Sequence, residues 1–302
     1  MITDRLIEGI ISMQNPTCVG LDTLFDYLPD NMKAGAKNFD DVAERVFDFN
    51  KKIIDNVYDI VPSVKVQIAY YEMYGVAGMK AYEETLKYAA EKGLVVIADA
   101  KRNDIGSTAA CYAKTFLGET QVNENALRAF PSDYVTVNGY LGSDGIMPFV
   151  EECQKGDKGI FVLVKTSNPS GAEIQNMILD NGTPMYEYVG GLVEKWGEST
   201  VGKYGYSAVG AVVGATHPTE AARLRQVLPH TFFLIPGYGA QGGNAEMLKS
   251  CFAANGLGGV VNNSRGILCA YKKNGGTYTE AARNACIAMQ KDLASVIGVM
   301  SK

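Results

Sequence analysis

The chain has 302 residues, 47% of them hydrophobic, and a formal net charge of −5. That length buries a large core and, with no linker-like or low-complexity tract, reads as one domain over residues 1–302. The acidic balance argues against non-specific nucleic-acid binding, so a bound anion would have to be held by a few local cations.

No apolar run reaches the roughly 18–20 residues needed to cross a bilayer, and residues 1–13 are amphipathic rather than a continuous apolar leader. Six cysteines (Cys18, Cys111, Cys153, Cys251, Cys269, Cys286) form no CxxC pair, so we expect reduced thiols and a cytoplasmic protein. The two histidines, His217 and His230, are too few for a metal site of several imidazoles, so acid–base chemistry falls to Lys, Asp or Glu. His217 precedes Pro218 at an apparent helix start and reads as a capping or surface residue.

In chain order, short β-rich runs alternate with helix-period segments. A strand at 17–22 leads through an excursion at 23–38, to which no role attaches, into a helix over 39–58. Strand 61–68 is followed by a helix over 71–92, strand 93–98 by a polar turn, and strand 134–138 by a helix over 145–153. Strand 159–166 precedes a helix over 186–203, and strand 208–215 one over 218–227. Strands 232–236 and 258–262 complete the set before a last helix over 279–297. Eight such units imply a parallel sheet closed into a (β/α)8 TIM barrel, whose strands, covered on both sides, are near-continuous apolar runs.

Active sites of such barrels lie at the C-terminal ends of the strands, and polar residues collect there. Asp22 ends the first strand and Lys65 interrupts the second. Asn138 follows the fourth, Lys165, Thr166 and Ser167 close the fifth, and Arg265 follows the eighth. The third strand runs into Asp99-Ala-Lys101-Arg-Asn-Asp104-Ile105-Gly-Ser-Thr108. Residues two apart on an extended chain point the same way, so Asp99 and Lys101 should face one cavity, with Asp104 beyond the turn. A lysine held between acids stays protonated and can deliver a proton.

The seventh strand runs into Pro236-Gly-Tyr-Gly-Ala-Gln241-Gly-Gly and the eighth into Asn262-Asn-Ser-Arg265-Gly. Glycine turns let backbone N–H groups approach an anion, and Arg265 adds a bidentate donor, so a phosphate ester is the expected substrate.

The strand 2 lysine together with DAKRNDIGST, KTSNPSG, PGYGAQGG and NNSRG resembles the orotidine 5′-phosphate decarboxylase family, in particular its longer bacterial branch, across the whole barrel. The resemblance implies metal-free conversion of orotidine 5′-phosphate to uridine 5′-phosphate and carbon dioxide, without pyridoxal or flavin. It implies a charged catalytic network of Lys65, Asp99, Lys101 and Asp104. Asp104 would enter the neighbouring subunit's site in a homodimer, with Ile105 and Thr108 reaching across the interface beside it. It further implies that Asp22 binds ribose hydroxyls, Ser167 reads the pyrimidine, Pro236 lines it, and Gln241 and Arg265 grip the phosphate. Gln67 stands where a polar substrate contact is expected. The segments 167–185 and 237–244 are the expected lid. A magnesium-dependent sugar-phosphate decarboxylase or aldolase shares the DxKxxD core, but Lys65 is a cation that would repel the metal. A non-catalytic nucleotide-binding barrel would not need the four charged residues.

Overall fold

The computed structural model describes residues 1–239 and 242–301. Its strands are β1 (Thr17–Gly20), β2 (Ser63–Gln67), β3 (Val95–Arg102), β4 (Thr120–Val122), β5 (Asn125–Leu127), β6 (Tyr134–Val137), β7 (Gly159–Lys165), β8 (Val209–Val213), β9 (Phe233–Ile235) and β10 (Gly259–Asn263). Eight of them close a parallel barrel in the order β1, β2, β3, β6, β7, β8, β9, β10, with β10 pairing back onto β1. The expected barrel is the observed one.

The outer layer forms because the intervening segments carry apolar residues at helical spacing. In helix Phe39–Val57, Val46, Phe49, Ile53 and Val57 fall on one buried face, and Asn38 caps its start by accepting from Asp41 N at 2.9 Å. The segment expected as one helix over 71–92 is two, Ala69–Glu72 and Gly75–Glu91, because Gly75 adopts φ +61°, which ends one helix before the next begins. The last helix, Tyr278–Ile297, is capped by Thr277 and packs Cys286, Met289 and Leu293 inward.

The amphipathic N-terminus is helix Ile2–Met13, and it closes the barrel at the starts of the strands. Leu6, Ile7 and Ile10 pack there with Cys18, Val95, Tyr134, Phe161, Phe232 and Val260. Thr3 Oγ1 lies 2.8 Å from Tyr134 Oη, and Arg5 reaches Leu94 O and Asp133. The polar end of the barrel is the opposite one.

Two further features depart from expectation. The exposed antiparallel hairpin β4–β5 lies between helix Gly106–Phe116 and β6, where no strand was expected. In addition, β3 runs on through Asp99 to Arg102, with a break in its pairing to β6 between Ala98 and Arg102.

All six cysteines are free thiols. Burial pushes Cys18, Cys251 and Cys286 up to about 12, so they stay protonated and inert at neutral pH. Among the described residues no helix is long and apolar enough to cross a membrane.

Candidate active site

The C-terminal ends of the strands enclose a cavity of about 530 Å3, walled by residues from every part of the barrel. Its floor is a run of alternating charges. Lys65, on β2 and 4% exposed, donates from Nζ to Asp22 Oδ1 at 3.1 Å and to Asp99 Oδ2 at 2.8 Å. Asp99 is itself buried, and its second oxygen accepts from Lys101 Nζ at 2.6 Å and from Thr136 Oγ1 at 2.8 Å. One carboxylate is therefore clamped between two ammonium groups and a hydroxyl.

Burial opposes both charges of the central pair, yet neighbouring charges outweigh it. Asp22 and Asp99 hold the Lys65 ammonium above the ordinary lysine range. Lys65 and Lys101 hold Asp99 well below the usual carboxylate range. Both groups are ionised throughout the neutral range.

Lys101 reaches this position by a route that strand alternation alone does not give. Its backbone is left-handed, φ +49°, in the stretch where β3 loses register with β6, and its N–H donates to Thr136 Oγ1 at 3.0 Å. The bulge re-aims the side chain along the cavity wall, where it stays 45% exposed while bound to Asp99. A lysine in a conformation that costs about 1–2 kcal/mol is a local strain that the Asp99 and Thr136 contacts offset.

Asp22, Ser167, Pro236 and Arg265 all line the same cavity, as the sequence led us to expect. Gln67 does not: its Oε1 accepts from Ala69 N at 3.1 Å, binding the start of the next helix. Asn138 likewise serves its own chain, accepting from Tyr140 N at 3.0 Å. Lys165 is buried outside the cavity lining. Asp104, Ile105 and Thr108 do not line this chain's cavity either. Asp104 Oδ1 accepts from Ile105 N at 2.7 Å, Ile105 is 56% exposed, and Thr108 is exposed. Gln241 lies outside the described residues. His217 stands at the residue before helix Pro218–Val227, but its side chain makes no capping bond.

Sequence reasoning passed over Thr136, Tyr27, Tyr70 and Tyr238, all in the cavity wall. A threonine inside an apolar strand is an ordinary β residue and gives no signal. Tyr27 comes from the 23–38 excursion. It is held over the cavity because Tyr271 Oη donates to Tyr27 O at 2.8 Å and Lys272 Nζ to Asp26 O at 2.5 Å. At the β10 end, Asn262 Oδ1 and Ser264 Oγ are buried without a partner among the described residues, beside Arg265.

Residues 17–275 match the model of the orotidine 5′-phosphate decarboxylase / HUMPS family. The chain belongs to that family. Orotidine 5′-phosphate decarboxylase of Clostridium kluyveri is 44% identical over 300 residues, covering 98% of each chain. That of Clostridium acetobutylicum is 44% identical over 297 residues, covering 97% of this chain and 99% of its own. Among solved structures, OMP decarboxylase of Leishmania donovani superposes with a TM-score of 0.73 at 28% identity, covering 97% of this chain and 98% of its own. Family membership thus extends over the whole barrel, including the excursion that carries Tyr27 and the hairpin β4–β5.

Proposed function

We propose that this protein decarboxylates orotidine 5′-phosphate to uridine 5′-phosphate and carbon dioxide, the last step of de novo UMP synthesis. The observation that carries the reading is the Asp22–Lys65–Asp99–Lys101 chain of contacts on the floor of a cavity whose other side holds Arg265. Full-length similarity to proteins named for this reaction supports it.

The chemical difficulty is a carbanion at pyrimidine C6, which the ring barely delocalises. As the C6–carboxylate bond breaks, its electron pair stays on C6 beside the Lys101 ammonium. A cation fixed in place beforehand stabilises that charge more than it stabilises the substrate. The pair then takes a proton from Nζ, and the neutral amine regains one from water. Asp99 orients the Lys101 side chain, and Lys65 balances Asp99 and Asp22. On this reading Asp22 binds ribose hydroxyls, Ser167 and Pro236 contact the pyrimidine, and Gln241 and Arg265 hold the phosphate. The reading requires no metal or organic cofactor. Both carboxylates in the cavity wall already bind the Lys65 ammonium, which would repel a divalent cation.

A homodimer completes the reading. Val76, Ile105, Tyr140 and Leu141 are exposed apolar side chains following β2, β3 and β6, which are neighbours in the barrel. A second subunit covering them would bring its Asp104, Ile105 and Thr108 towards this cavity. The free cysteines support a cytoplasmic location.

Turnover is the test: purified protein, orotidine 5′-phosphate and excess EDTA, followed by ultraviolet absorbance. Conversion to uridine 5′-phosphate is expected. Folded protein that leaves the nucleotide intact but acts on a sugar phosphate once magnesium is added would contradict the reading.

A further inference from the structure

Lys165 ends β7 and is 1% exposed, yet it does not line the cavity and takes no part in the chemistry above. A buried ammonium is costly unless it is partnered, so its partners show what it is for. Nζ donates to Asn176 Oδ1 at 2.5 Å, lies 3.9 Å from Glu220 Oε1, and sits 5.4 Å from the centre of the Tyr186 ring. Asn176 follows the short helix Ala172–Gln175, Glu220 is in the first turn of helix Pro218–Val227, and Tyr186 is in the first turn of helix Met185–Gly197. His217 Nδ1 faces the same Glu220 oxygen at 4.0 Å.

The loop that Asn176 belongs to is tied down at its start as well. Gln175 Oε1 accepts from Thr166 N at 3.0 Å, and its Nε2 donates to Thr166 Oγ1 at 2.8 Å. Thr216 Oγ1 donates to Ser167 O at 3.1 Å. A Cβ at Gly214 would lie 2.7 Å from Ser167 N, so glycine lets the loop seat against β8. Ser167, next but one to Lys165, faces the cavity while Lys165 faces away from its lining.

We propose that Lys165 is a positioning residue for the pyrimidine end of the site: its buried ammonium, through Asn176 and Glu220, fixes the loop between β7 and helix Met185–Gly197 so that Ser167 stays in the cavity wall. A displaced loop would withdraw the Asn176 oxygen and leave a buried cation facing a carboxylate at 3.9 Å, so the charge selects one loop arrangement. This rests on the reading of Ser167 as the pyrimidine contact.

The experiment measures binding of uridine 5′-phosphate and of ribose 5-phosphate, which lacks the pyrimidine, by calorimetry. Asn176→Ala should weaken uridine 5′-phosphate by about tenfold, as expected for a lost hydrogen bond to a charged group. Ribose 5-phosphate should stay within about twofold. Asn176→Asp, which keeps an oxygen for the ammonium, should bind both as the wild type does. Lys165→Met should reproduce the Asn176→Ala pattern, and if it does not fold, the two Asn176 variants decide. Equal loss for both ligands, or none for uridine 5′-phosphate, would overturn the proposal. Wild-type protein that neither binds uridine 5′-phosphate nor turns over orotidine 5′-phosphate would instead remove the functional reading beneath it.

Discussion

Asp99 is the residue on which the site turns, since it touches both lysines and Thr136. Its carboxyl is depressed in the fold. It therefore contributes stability above its unfolded value of about 3.9, and that contribution is lost as pH falls through the lower folded value. Asp99→Asn cannot titrate there. Urea unfolding should show a constant stability gap between wild type and Asp99→Asn from about pH 5 to 8, narrowing below about pH 4. A gap that persists unchanged into acid would contradict the clamped-carboxylate account. Lys65, Asp99 and Lys101 were legible in the sequence because charges at the end of apolar strands are costly without a task. Lys165 shows the limit of that reasoning: it carries the same signal but faces the loop. Pairing between β7 and β8 shifts between Leu163 and Lys165, and no sequence pattern reports such a shift.

At the scale of elements, the eight barrel strands lie within two residues of their expected ends except for β3, which runs four residues further, to Arg102. The extension is the bulge that places Lys101 in the left-handed region, so the backbone there serves the side chain. Glycine adopts that conformation without the Cβ penalty that alanine would keep after losing the Asp99 contact, which makes Lys101→Gly the cleaner variant for separating chemistry from fold. It should lose nearly all turnover while its melting temperature stays within about 2 °C of wild type, a shift of about 1 kcal/mol for a chain of this length. Near-normal kcat would refute Lys101 as the proton donor. The hairpin β4–β5 was not legible for a related reason. Its residues are exposed throughout and follow no apolar alternation, and only pairing with each other defines them.

Across the whole molecule the two ends of the barrel have separate tasks. The end closed by helix Ile2–Met13 is packed by an apolar cluster and supplies stability, and the opposite end holds the cavity with its charged chain. Leu6→Ala should therefore cost about 2–5 kcal/mol in urea unfolding and leave KM for orotidine 5′-phosphate unchanged. A large KM effect would mean that the two ends are coupled. The sequence made the closed barrel and most of the cavity wall legible, because period, strand ends and glycine turns are local signals. Asp104, expected from the family resemblance to serve a neighbouring subunit, does not line its own chain's cavity, a placement that these local signals do not encode.

The central claim is that Lys101 of one chain works with Asp104 of another, and subunit mixing tests it most directly. Lys101→Gly and Asp104→Ala chains, each inactive alone, are mixed in equal amounts and allowed to exchange. One site in each mixed dimer then carries both native residues, so about a quarter of native activity should return. Activity no greater than the sum of the two variants after verified exchange, or an Asp104→Ala protein active by itself, would contradict the account.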